Sequence, residues 1–128
     1  MAYSAHSSDQ LLKWIFTATA VTRPTAWTAH LYDGDPEASG AELTDSAYVA
    51  QSVAFTVADA DMNNRSEASN DAAIAFPAIA DAAVTAAFVV VKDGAGNILA
   101  RVALTPARAL DVGNILSFPA GGLVIKGE

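Results

Sequence analysis

The stretch "VVVKDGAGNILARVAL", residues 89–104, decides the fold. Two runs rich in Val, Ile and Leu flank the short segment Asp93-Gly94-Ala95-Gly96-Asn97. Three readings compete for that middle: a calcium loop, a phosphate-cradling glycine turn, and a β-hairpin. A calcium loop needs more carboxylates in step and a closing bidentate Glu, whereas position 101 is arginine. A phosphate loop needs a helix behind its glycines and a basic residue, and a strand-like run follows instead. A hairpin needs only what is present. Asp93 and Asn97 can bond the nearby backbone, and glycine supplies positive φ. The segment is therefore read as a turn between two strands.

Working outward, alternation with a period of two recurs on both sides. "AWTAHLY" places Trp27, Ala29 and Leu31 on one face and Thr28, His30 and Tyr32 on the other. "YVAQSVAFTVA" predicts Val49, Val53, Phe55 and Val57 facing the core, with Gln51 the exception. "DAAIAFPA", "NILSF" and "LVIK" complete the strand set. Pro77 and Pro119 end strands, each beside a phenylalanine that plugs one end of the sheet stack. Two polar connections, residues 33–47 and 59–70, are rich in turn residues, the second with room for a short edge strand.

"SSDQLLKWIFTATA" differs. Leu11, Leu12, Ile15, Phe16 and Thr19 fall at helical spacing, Ser7 or Ser8 can cap the helix, and Asp9 suits its first turn. Arg23-Pro24 ends it, because the residue before proline is pushed out of the helical region. The expected fold is mainly β: an antiparallel β-sandwich of about seven to eight strands with one N-terminal α-helix. The expected organisation is an N-terminal arm over 1–7, then a single domain over 8–128 that includes a helix at about 8–21.

The 128 residues fit one domain with a core of its own. The chain has no cysteine, and His6 and His30 alone are too few for a usual zinc or iron site. A formal charge of -7, from 14 acidic against 7 basic side chains, is unsuited to neutralising phosphates, so no nucleic-acid partner is expected. The dense apolar run at 82–91 is far short of the ~20 residues of a membrane helix, so no membrane partner is expected either. Residues 11–16 lack the flanks of a signal peptide. Synthesis in a cytoplasm, as a protein that stays soluble, is the expectation.

Chemistry finds little purchase. Ser, His and Asp occur at no spacing that resembles a catalytic triad, and most acids lie in loops, so no catalytic residue and no cofactor are expected. Asp33, Asp35 and Glu37 are the weak candidates for a metal, but Pro36 stiffens the run and no Glu closes a loop, so a solvated loop is preferred. Trp14 and Trp27 could form a stacking platform for sugars; packing of helix onto sheet is the more economical account. In "AAFVVV", Ala87, Val89 and Val91 make one face apolar, and Ala86, Phe88 and Val90 the other. A strand apolar on both faces is buried on both sides. The second side must meet the helix or another chain, so self-association, as a trimer, is expected. The interaction candidates are Ala87, Phe88, Val89 and Val91, with Tyr3 and His6 of the arm and the two polar loops.

The order of these features resembles a family of small tailed-phage virion proteins, usually labelled phage tail fibre proteins. The resemblance is carried by "RPTAWTAHLYDGDP", "AYVAQSVAF", the Asn before "AAIAFPA", the hairpin at 89–104, and "TPARALDVGNILSFPAGGLVI". It covers about Leu11 to Ile125 and departs at Ala50 and at Gly113-Asn114. It implies a structural part of the virion whose partners are phage capsid or tail proteins. A fibre shaft needs repeats or a long coil, and neither occurs in this chain. A compact acidic module with surplus apolar surface therefore points first to a capsid decoration (cement) protein. A tail fibre or tail-tip adaptor involved in host recognition is the alternative.

Overall fold

The computed structural model describes residues 3–58 and 66–126. One helix, α1 (Ala5–Phe16), precedes nine strands: β1 (Trp27–Tyr32), β2 (Gln51–Ser52), β3 (Phe55–Ala58), β4 (Glu67–Asn70), β5 (Ile74–Ala75), β6 (Val84–Asp93), β7 (Ile98–Leu110), β8 (Ser117–Phe118) and β9 (Val124–Lys126). They form an antiparallel four-stranded sheet, β2-β1-β6-β7, and a three-stranded one, β3-β4-β9. A two-stranded pair, β5-β8, closes one end. The expected mainly β sandwich with one N-terminal helix is what the chain forms. Its strand count exceeds the reading because residues 48–58 form two strands, β2 and β3.

The opening hairpin is β6 and β7. Asp93 holds its turn: one carboxylate oxygen accepts the backbone N–H groups of Ala95 and Asn97, and the other accepts the Asn97 side chain. Gly96 takes φ 87°, which a side chain would resist. Opposing desolvation, those Asn97 and Ala95 donors hold the Asp93 carboxyl below its ordinary value. β6 is the central strand. Val91, Val89, Ala29 and Leu31 share its inner face by register and enter the core, Leu31 at 1% exposed and Val89 at 0%. Burying each of these two side chains contributes about 1.5–3 kcal/mol.

Residues 48–58, read as one strand, are two. Val53 still donates to Trp27 of the first sheet, while Ala54 accepts from Asp71 beside the second, so the chain changes sheets between adjacent residues. That crossing breaks the alternation. Val53 and Phe55 pack on the core, but Val49 is exposed and Val57 is 61% exposed, correcting the expected core positions. Val57 does lie on the inner side of β3, where the two sheets stand apart. β4, anticipated as an edge, pairs with β3 on one side and β9 on the other. The rest of that connection, residues 59–65, lies outside the described residues.

Phe76 and Phe118 are both buried beside the β5–β8 pair, as plugs at one end, and Phe76 stacks on Tyr48. Asn70 closes the neighbouring corner. It is 2% exposed, donates to Ala72 and Pro119 carbonyls, and accepts the Leu123 N–H.

Candidate interaction surface

The helix is shorter and starts earlier than its sequence suggests. Ser4, not Ser7 or Ser8, is the cap; its side chain accepts the Ser7 N–H. Ser4 is also buried against the outer edge of β7, with its N–H on the Leu99 carbonyl and its hydroxyl on that of Ile98. That double use of one serine fixes the start. Tyr3 bridges to Ala100, so residues 3–7 are no separate arm. The helix stops at Phe16, where the Thr17 N–H and hydroxyl both close on the Lys13 carbonyl. The β-branched threonines that follow favour extended backbone. Asp9 falls in the second turn and pairs with Lys13 at 2.8 Å, and that bond holds its carboxyl below the ordinary value.

No residue of α1 is buried. Leu12, Trp14, Ile15 and Phe16 are 55%, 68%, 54% and 75% exposed, and Leu11 is 40%. Helix-on-sheet packing was the expected role for Trp14; instead it stands in solvent while Trp27 is half-buried in β1. A helix of 12 residues is marginal in water on its own. Its first turn is tied to the body. The Ser7 hydroxyl donates to Leu99 at 2.6 Å, and the Ala5 N–H donates to the Glu37 carboxylate at 2.7 Å.

Glu37 belongs to the acidic loop, residues 33–42, which folds over the outer face of the first sheet. Gly40 lies so close to Gly34 that a Cβ there would fall 2.1 Å from the Gly34 oxygen, so only glycine fits. The three metal candidates do not converge on a cation. Asp33 accepts the Ala41 N–H, Asp35 accepts the Glu37 N–H and pairs with Arg101, and Glu37 joins Arg101 to the helix. Among the described residues no group of three or more His, Asp or Glu is arranged to hold a metal.

Further along the loop, Glu42 contacts His30 Nδ1 at 2.6 Å and Lys92 Nζ at 3.5 Å, and accepts the Tyr48 hydroxyl at 2.7 Å. Burial opposes its charge, but the His30 and Tyr48 bonds prevail and hold its carboxyl below the ordinary value. Burial and the neighbouring Glu42 carboxylate both push the Tyr48 phenol up. The same hydroxyl accepts the Leu31 N–H, filling a gap on β1 that no strand covers. Sequence reasoning placed Tyr48 only within the "AYVAQSVAF" stretch and gave neither it nor Glu42 a role.

This arrangement settles where the expected interaction residues lie. Val89 is buried in the core cluster, and Val91, 2% exposed, lines the cleft between the two sheets. Val90, on the outer face, sits between His30 and Arg101 in register, under the loop's ion pairs, and is 0% exposed. The second apolar face of β6 is thus covered by its own chain, not by α1. Phe88 faces Tyr32, and Ala87 is half-buried at a bulge. Tyr3 and Trp27 line a cleft of about 380 Å3 between the two sheets, with Phe55, Val57, Ala68 and Ile125. His6 lines a groove of about 700 Å3 between α1 and residues 19–24, with Trp14 and Leu11. The exposed residues of α1 and the rims of these two hollows are the accessible apolar surface at this end.

The model of one protein family, described as podophage GP4 fiber I protein gp80, matches residues 2–126. The chain belongs to that family. Membership makes it a phage virion protein of the fibre type. It does not carry the capsid-decoration expectation; the tail fibre alternative stands closer. No curated protein matches the chain. Among the described residues no helix is long and apolar enough to cross a membrane.

Proposed function

We propose that this chain is a tail-fibre module that acts by binding rather than catalysis, using α1 to attach its β-sandwich to other virion protein. The observation that carries this reading is the apolar side of α1, exposed on a body whose other apolar face is covered by its own loop. Large exposed apolar patches mark interaction sites on soluble proteins. The fibre description of its family supports a tail location over the capsid shell. The acidic loop repels phosphate and is occupied in holding the first turn of α1, which fits a protein partner and not nucleic acid.

Quantitative mass spectrometry of purified particles, with gold-labelled antibody in electron microscopy, tests the reading. A few copies per particle with label on the tail is the expected result. Hundreds of copies with label over the shell would return the protein to the capsid. Phe16→Asp should lower incorporation into particles while the purified chain remains folded.

A further inference from the structure

The acidic loop is built differently from the sheet it covers. Backbone bonding shuts its neck: the Asp33 N–H donates to the Ala41 carbonyl at 3.0 Å, and the Asp33 carboxylate accepts the Ala41 N–H at 2.8 Å. Just beyond, the Leu43 N–H donates to the Leu31 carbonyl at 3.0 Å. The tip gathers around Asp35, whose carbonyl accepts the Ala38 and Gly40 N–H groups and whose carboxylate accepts that of Glu37. Residues 34–41 are therefore one compact piece with its ends together, an Ω-loop. This piece brings no apolar anchor with it. Pro36 is its largest apolar side chain, and none of residues 34–41 is buried.

Charge is what fastens it. Asp35 and Glu37 reach a single cation, Arg101 of β7, which has no other partner among the described residues. Glu37 also accepts the Ala5 N–H of α1 at 2.7 Å. At the neck, Glu42 pairs by backbone with Tyr32 and meets His30 at 2.6 Å, the Tyr48 hydroxyl at 2.7 Å and Lys92 at 3.5 Å. His30, Lys92 and Arg101 share the outer face of the first sheet around Val90, which is 0% exposed. Every acid that answers them comes from the loop or its neck.

Carboxylates ordinarily titrate near pH ~4, where histidine, lysine and arginine all carry charge. Acid therefore discharges Asp35, Glu37 and Glu42 and leaves three cations on the sheet face. For Glu42, burial opposes the charge but the His30 and Tyr48 bonds hold the carboxyl below 4.5, so its grip is lost as pH falls through that lower folded value. The sandwich rests on an apolar core, with Leu31, Phe76 and Val89 buried in it, and those side chains do not titrate.

We propose that residues 34–41 are an acid-released lid, latched by Arg101 at neutral pH, that lifts from the sheet as one piece while the sandwich stays folded. Lifting uncovers the cationic face around Val90. It also removes the Glu37 hold on Ala5, which leaves the first turn of α1 seated by its bonds to β7 alone.

Nitrogen-15 relaxation of the purified chain across a pH series tests this, read at Ala38 and Gly40 in the lid, Ala5 in α1, and Leu31 and Val89 in the core. Order parameters in the lid should equal those of the strands at neutral pH, about 0.85, and fall below about 0.6 in acid. The Ala5 amide should shift with the same midpoint while Leu31 and Val89 keep their native shifts. Arg101→Gln should show the open lid at neutral pH; Lys126→Gln, which removes an exposed cation beside Glu67, should leave it closed. A lid that stays ordered until Leu31 and Val89 themselves unfold overturns the proposal, and so does an ordered lid in folded Arg101→Gln. An Ala5 amide that does not move when the lid opens overturns the coupling to α1. If Arg101→Gln loses the native core shifts, the wild-type pH series decides by itself.

Discussion

The body and the arm of this molecule treat water in opposite ways. In the body, polar side chains seal the structure: Asn70, Tyr48 and Glu42 each close a gap that backbone pairing leaves open, and among the described residues no buried side-chain nitrogen or oxygen lacks a partner. In the arm, the backbone is satisfied by the helix and the large apolar side chains face outward. The difference teaches where each region is finished. The body covers its apolar side chains within one chain, and α1 leaves its own uncovered.

The sharpest way to break that contrast is Asn70→Asp. It places a carboxylate against the Ala72 and Pro119 carbonyls in a buried corner. The expected loss is about 3–5 kcal/mol in urea unfolding, as for a buried charge left unpaired. A loss below about 1 kcal/mol would mean that polar closure does not hold the body. Next in size is Tyr48→Phe, which strands the Leu31 N–H and removes a donor from Glu42. About 1–2 kcal/mol should be lost, and an unchanged midpoint would show that water replaces the hydroxyl at no cost.

A smaller effect separates with pH. The Glu42 carboxyl is held below its ordinary 4.5, so its contribution is present above that pH and is lost as pH falls through the folded value. Stability curves of wild type and Glu42→Gln, measured by chemical unfolding across a pH series, should therefore be separated above pH 4.5 and converge below it. Parallel curves would remove Glu42 from the acid limb. The smallest effect belongs to the arm: Leu12→Ser and Phe16→Ser should each change the stability of the isolated chain by less than about 0.5 kcal/mol. A core-sized loss at either position would mean that α1 is buried in its own molecule.

How much of this was legible before the structure follows the same divide. The β6–β7 hairpin was, because its turn chemistry is local and Asp93 answers only to its neighbours. β1 was, because both of its faces keep a strict alternation. The passage from β2 to β3 was not, since changing sheets between Val53 and Ala54 leaves no trace in hydropathy. Helical periodicity gave α1 its type but not its covering: an apolar stripe shows that something is buried, not in whose interior. Its start was hidden because Ser4 caps the helix while pairing with a strand 94 residues away. Asn70 was visible only as part of a family-like order of motifs. Tyr48 stood in that order too, within "AYVAQSVAF", while Glu42, joined to β1 by the fold, carried no signal of its own.

The short bearing between α1 and β7 also has a mechanical meaning. Load on the first turn of the helix passes through Ser4, Ser7 and Glu37 to the edge of β7 and to Arg101, while the backbone of residues 17–26 ties its last turn to β1. β7 is the longest strand, zipped to β6 at the centre of the larger sheet, so tension is spread along a ladder before it reaches any loop. The weakest link on that path is the joint itself, a few hydrogen bonds and one charge pair. Under load the first turn should peel from β7 while residues 17–26 keep α1 tethered and the sandwich keeps its shape, a coupling that yields at the hinge and spares the part it carries.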